Sequence, residues 1–276
     1  MLKMKLAFGG VFAAFALVAG SAHAAGECSI GKTLEEGVLT IATGNPAYFP
    51  WVIDDNPEGG KGFEAAVAYA VAAEMGFDAS AVKWVSASFD QSIQPGLKDF
   101  DFNLQQFSIT EEREKVVDFS IPYYTSAMAV VVRKPAIEGG ATPTLDSLQG
   151  LLWGADANTT ALPMIQGLID PSSSPLLYDD STDVLEAMKA NQIDAALFDL
   201  PTALYLTAAV MDDGAILGQF PADRTESPDQ LGLLMSEGNP IKECVDAALT
   251  AMIESGQLAE IEAAWLQQAT GVPLVK

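Results

Sequence analysis

Histidine is nearly missing from this chain: the only one, His23, falls within the first 24 residues. Cysteine is almost as scarce, with Cys28 and Cys244 alone, and positive charge is short, 14 Lys and Arg against 37 Asp and Glu. Each shortage excludes something. Without histidine in the body of the chain there is no Ser-His-Asp triad, no Cys-His pair and no histidine-ligated metal site. No cofactor or metal is therefore expected. A net charge of −23 makes nucleic acid and anionic membrane surfaces poor partners, although solubility alone also accounts for it. Apolar runs long enough to approach a membrane span are confined to the start of the chain.

That start reads as a processing signal. Lys3 and Lys5 give the positive end, residues 6–19 are apolar, and Ala22-His23-Ala24 fits small-residue cleavage. The expected signal peptide is 1–24, with the mature chain beginning near Ala25 in the periplasm; an uncleaved anchor is the alternative, but the apolar stretch is short for it. Loss of Lys3 and Lys5 would move the net charge from −23 to −25. In an oxidising compartment two cysteines suggest one disulfide, tying the new N-terminus to a helix near the C-terminus. Two free thiols, or a lipidated Cys28, are the other readings; Ala25-Gly26-Glu27 is too polar for lipidation.

What is present is core material, 49% hydrophobic in 276 residues, enough for one or two domains. Residues 38–43 (VLTIAT) read as a buried strand, 63–75 as an Ala-rich helix stopped by Gly76, and 82–85 and 100–107 as further strands. A short helix at 89–97 and a helical turn at 110–116 separate them. This alternation predicts an α/β lobe with a largely parallel sheet. After a strand at 127–133 comes a Pro- and Gly-rich loop, and the α/β pattern restarts: strands at 151–155 and 195–198, helices at 160–168, 184–190 and 202–210. A late strand at 231–235 and two helices, 241–254 and 258–268, close the chain. Two lobes with a cleft between them are the economical architecture, and ligands in such folds sit at strand C-terminal ends.

Four groups of residues carry possible chemistry. In NLQQFSITEER, Ser108 and Thr110 precede a helical turn and Arg113 follows, an inventory suited to gripping a carboxylate; a surface arginine with a hydroxyl cap is the plain alternative. Asn158-Thr159-Thr160 offers hydroxyls and amides at a helix start, or an ordinary cap. Asp199, directly after AALF, suits an ammonium or caps the next helix. Tyr48, Phe49, Trp51 and Phe89 either wall a small-molecule pocket or belong to the core. Glu64 opens a helix, as a surface acid or facing a pocket.

Several stretches together resemble the amino-acid-type periplasmic solute-binding proteins of ABC transporters, family 3 of the bacterial extracellular solute-binding proteins. GKGFEAAVAYAVAAEMG, SITEEREKVVDFSIPYY, IDAALFDLPTALYL and IKECVDAALTAMIESGQLAEIEAAWL occur in the family's order, and the second is the specific one. The resemblance implies an α/β, two-lobed periplasmic-binding-protein-like (class II) fold closing on one free amino acid. Lobe 1 would be 25–126 plus 229–276, and lobe 2 127–228. It implies that Arg113 clamps the α-carboxylate with help from Ser108, Thr159 and Thr160, and that Asp199 binds the α-ammonium. Tyr48 and Phe89 would pack on the ligand's stem. Asn45 and Glu64 would read its far end. Asn45 replaces the aspartate of relatives for basic ligands, and Gln105 and Gln106 replace small or hydroxyl residues, so the expected ligand is polar, neutral or basic. The implied role is a monomeric, non-enzymatic receptor delivering to the permease subunits of an ABC importer. Periplasmic enzymes on the same fold, such as a cyclic carboxylic acid dehydratase, are the alternative, with Glu64 the one candidate acid or base; a sensor domain is a third reading.

Overall fold

The computed structural model describes residues 28–222, 229–266 and 271–276; the signal segment expected at 1–24 lies outside them. The first strand, β1 (Leu39–Thr43), is buried at every position. That explains its unbroken apolar and β-branched run, because both faces are covered. β1 pairs in parallel with β2 (Val82–Ser86) on one side and β3 (Phe102–Asn103) on the other. β4 (Val117–Phe119) and the late β12 (Leu234–Ser236) complete a five-stranded sheet of order β2-β1-β3-β12-β4, with β12 antiparallel to both of its neighbours. The chain thus returns to its first sheet after more than a hundred residues elsewhere.

Helix α1 (Phe63–Glu74) packs against this sheet. Its six alanines leave room for close approach, and seven of its residues are buried. The C-terminal helices α4 (Lys242–Ser255) and α5 (Gln257–Trp265) lie against it, so Val67, Val71, Val245 and Leu249 share one core with Trp51 and Phe102. A disulfide joins Cys28 to Cys244 on α4, which decides between the readings open for the two cysteines.

The second sheet departs from the parallel expectation. β6 (Met128–Arg133) lies between β9 (Ala195–Asp199) and β10 (Gly214–Phe220), and both pairings are antiparallel. β6 again reads as a continuous apolar run because alternate residues serve two cores: Met128, Val130 and Val132 face one cluster, Ala129 and Val131 the other. A parallel pair, β7 (Gly154–Asp156) and β8 (Leu176–Tyr178), attaches through a bridge between Trp153 and Ala195. Helices α2 (Ser181–Lys189) and α3 (Leu200–Tyr205) cover one face.

Two extended segments run between the sheets. β5 (Tyr124–Ser126) leads through Ala127 into β6, and β11 (Asp229–Leu231) leads back towards β12; the two pair antiparallel. The last residues do not stay with the helices that precede them. Gln219 donates its N–H to Pro273 at 2.8 Å, Val275 donates to Gln219 at 3.1 Å, and Leu145 donates to Lys276 at 3.0 Å. The segment 271–276, expected with the first lobe, therefore lies on the second sheet, where Val275 packs on the core. Among the described residues no helix is long and apolar enough to cross a membrane.

Candidate functional site

A cavity of about 240 Å³ lies between the two sheets' layers. The first lobe lines it with Asn45, Tyr48, Phe89, Gln105, Gln106 and Ser108, together with Arg113. The second contributes Thr159, Thr160 and Asp199. Ten of the eleven ligand-binding residues expected from sequence thus converge on one space. They come from the segments that follow β1, β2, β3 and β7 and from the end of β9, the strand ends where a ligand is expected.

Arg113 is 9% exposed. One terminal nitrogen donates to the Ser108 carbonyl at 2.8 Å and the other to the Asn158 carbonyl of the opposite lobe, also at 2.8 Å. Its guanidinium lies 5.2 Å from the centre of the Phe89 ring, which stacks on Phe107. These contacts fix the plane of the group without neutralising it: no carboxylate lies within ion-pair distance of Arg113 among the described residues. Burial lowers its pKa, an effect that the nearby carboxylates Asp229 and Asp156 oppose. The helical segment here is only Arg113–Lys115, and Thr110 caps it by accepting from the Arg113 N–H at 3.2 Å. The plain cap reading of Thr110 is therefore correct. Ser108 has its backbone paired with Leu231, so its hydroxyl, not a helix-start amide, serves the site.

Asp199 ends β9, where it caps a helix and also borders the cavity. It accepts from the Thr202 N–H at 2.8 Å, capping α3, and it lines the cavity. Burial raises its carboxyl to about 6 against hydrogen bonds that lower it.

Glu64 corrects an expectation. It is 1% exposed and does not line the cavity. Its carboxylate accepts from the Gln106 N–H at 2.8 Å, from the Gln106 side-chain amide and from the Tyr123 hydroxyl. Burial pushes it up to about 7, and Asp199 adds to that. The α1 start carries Glu64 inward because the helix begins against the Trp51 carbonyl, which accepts from the Glu64 N–H at 2.9 Å. Glu64 therefore reaches the cavity only through Gln106, whose backbone sits at φ 51°, an uncommon conformation for a non-glycine residue. Gln105 packs close to Gly44, where a Cβ would lie 2.7 Å from its amide nitrogen, and its carbonyl oxygen is buried without a hydrogen-bond partner.

Sequence reasoning missed four carboxylates and hydroxyls on the second lobe: Asp156, Asp180, Ser181 and Thr182 line the cavity. In sequence, Asp156-Ala157-Asn158 reads as a turn and Asp180-Ser181-Thr182-Asp183 as a helix cap, and both do serve so. Asp156 accepts from the Asn158 N–H at 3.0 Å and Asp180 from the Asp183 N–H at 2.8 Å. Asp229 was also missed; it opens β11 beside Ser108 and Arg113, and no motif marks it.

The lobes touch across the cleft. Tyr48 and Thr182 hydroxyls are 2.7 Å apart, Ser108 and Thr160 hydroxyls 3.2 Å, and the Trp51 indole N–H donates to Thr202 at 2.8 Å. The Phe49 and Tyr205 rings lie 4.6 Å apart, outside the cavity lining, and Trp51 belongs to the core.

Comparison with known proteins bears on the family and the fold. The chain is 30% identical over 259 residues to the L-cystine-binding protein TcyJ of Escherichia coli K12, covering 91% of this chain and 92% of that one. It is 26% identical over 218 residues to the ABC transporter glutamine-binding protein GlnH of Bacillus subtilis, covering 77% and 76%. Among solved structures, an ancestral arginine-binding protein bound to arginine superposes with a TM-score of 0.69 at 26% identity, over 84% of this chain and 99% of that one. The profile of one family matches residues 39–268, and the chain belongs to it: the bacterial extracellular solute-binding proteins, family 3.

Proposed function

We propose that this protein is a periplasmic receptor for a polar amino acid, neutral or basic, that delivers its ligand to the permease subunits of an ABC importer. Arg113 holds the α-carboxylate and Asp199 the α-ammonium. The observation that carries this reading is that a buried cation of one lobe and a carboxylate of the other border the same cavity, neither in an ion pair among the described residues. A ligand bearing both charges bridges the lobes and favours the closed form, because it makes both contacts only there. Tyr48 and Phe89 flank its stem, Asn45, Gln105 and Gln106 offer amides, and Ser108, Thr159 and Thr160 offer hydroxyls. The lobes divide as 25–126 with 229–266, and 127–228 with the C-terminal segment 271–276. The named relatives bind cystine, glutamine or arginine, in keeping with an α-amino acid handle. Glu64, the acid or base named for an enzyme on this fold, is buried, hydrogen-bonded to Gln106 and Tyr123, and outside the cavity lining.

The test is a thermal-shift screen of stripped protein against the amino acids, ornithine, citrulline, cystine and cyclic carboxylic acids. A ligand at 100 times its dissociation constant adds about 2.7 kcal/mol. Arg113→Ala should then weaken binding by about 2–5 kcal/mol while preserving the fold. Unchanged affinity in a folded variant would remove the clamp. Asp199→Asn should penalise free amino acids more than their N-acetyl analogues; equal losses would remove the ammonium role.

A further inference from the structure

The cavity holds more negative charge than an α-amino acid handle uses. Among the described residues Arg113 is the one cation on its wall, while Asp156, Asp180 and Asp199 all line it. Pairing a ligand's carboxylate with Arg113 and its ammonium with Asp199 leaves Asp156 and Asp180 facing each other. Asp156 is 7% exposed. Its partners are the Asn158 N–H and the Ser181 hydroxyl at 3.3 Å, and no lysine or arginine lies within ion-pair distance of either carboxylate among the described residues.

Closure makes this worse. Burial pushes the Asp156 carboxyl upward, and Asp90, which comes from the other lobe on the turn Phe89–Ser92, adds to that together with Asp180. Arg113 is near enough to feel Asp156 but does not pair with it. Tyr48 and Thr182 hydrogen-bond across the cleft beside the same group, so closure draws like charges together around a space that their side chains leave open. An unpaired carboxylate in a buried, low-dielectric space is costly unless a cation meets it. On the first-lobe wall the buried Gln105 carbonyl oxygen also has no donor among the described residues.

We infer that Asp156 and Asp180, with Tyr48 and Thr182 beside them, form a subsite for a second cationic group, so that the ligand is an amino acid carrying an ammonium or guanidinium at its far end. The inference rests on the proposed receptor reading and narrows it. It also moves the reading of the far end from Glu64 and Asn45 on the first lobe to two aspartates on the second. The cation does there what no side chain does among the described residues: it lets three carboxylates approach as the lobes close.

The experiment compares ligands of like shape and different far-end charge by titration calorimetry of stripped protein: L-arginine with L-citrulline, and L-lysine with L-norleucine. The charged member of each pair should bind at least tenfold more tightly. Asp156→Asn with Asp180→Asn removes the charge but keeps an acceptor for the turn and the cap. In that variant the preference should shrink below threefold, and so should the salt dependence of arginine binding. Should the double variant fail to fold, Asp180→Asn alone, at an exposed cap, should still reduce the preference. Citrulline or glutamine binding as tightly as arginine would overturn the subsite and leave the receptor reading standing. A preference that survives the substitutions would overturn the assignment to these aspartates. No binding of any amino acid by the stripped protein would overturn the receptor reading itself.

Discussion

Glu64 and Asp199 hold their protons beyond the usual carboxyl range, to about 7 and about 6, in both cases chiefly through burial. In the unfolded chain the same groups titrate near 4.5 and 3.8. Between those values and the raised ones the native protein keeps protons that the unfolded chain has lost. Their contribution to stability is therefore full below about pH 4, and it is lost as pH rises through 6 and 7. Glu64→Gln still offers an oxygen to the Gln106 N–H but cannot ionise. The ligand-free variant should lose less stability between pH 5 and 8 than the wild type, by about 3 kcal/mol at most. Melting temperature against pH checks this, and parallel curves for the two proteins would contradict it. Ligand binding has the opposite sign. An ammonium at Asp199 favours its charged form, so binding releases a proton and strengthens as pH rises through about 6. Calorimetry in buffers of different ionisation enthalpy should detect that proton in the wild type and not in Asp199→Asn.

Helix α1 depends on one residue outside it. Gly62 sits at φ 102°, and a Cβ there would lie 2.4 Å from the Trp51 carbonyl oxygen, the acceptor for the first turn of the helix. Gly62→Ala should destabilise by about 2–5 kcal/mol, combining a left-handed penalty of about 1–2 with overpacking of about 1–3. Gly37, at φ 76° with open space around it, supplies the control: Gly37→Ala should cost only the conformational part. Urea unfolding midpoints measure both, and equal losses would show that the close approach to Trp51 does not matter. The same elements show why some of the fold was legible in sequence. The alanine run of α1 and the unbroken apolar strands β1, β6 and β9 carry strong patterns. β10 reads GAILGQF, with glycines at its first and fifth positions and a register shift between Ile216 and Gly218, so no run or alternation marked it. The strand expected at 100–107 shrinks to Phe102–Asn103 because the chain leaves the sheet to place Gln105 and Gln106 on the cavity wall. At the site, Arg113 and Asp199 stood out through their motif. Asp156 and Asp180 did not, because a carboxylate that caps a turn and one that also faces a ligand look alike until the fold brings them together.

The molecule is held at two levels, and they should separate experimentally. The Cys28–Cys244 bond closes a loop of 216 residues but lies away from the cleft. Reducing it should lower stability by about 2–5 kcal/mol and leave ligand ranking unchanged. Contacts between the lobes should behave in the reverse way. Tyr205 belongs to α3 of the second lobe, and its ring meets Phe49 of the first without lining the cavity. The pair bridges the two lobes, so lobe opening should break it and it should add to the affinity of any ligand that needs closure. An aromatic contact of this kind is worth about 0.5–1.5 kcal/mol. Tyr205→Ala should therefore weaken binding of every ligand by about 2- to 10-fold, and by the same factor for each, since the ring touches none of them. Small-angle scattering of the ligand-free variant should show a larger radius of gyration than the wild type, with saturating ligand restoring the compact form. A variant whose affinity falls for one ligand only would mean that Tyr205 reads the ligand. One that loses affinity with no change in the ligand-free shape would mean that closure is not what the contact stabilises.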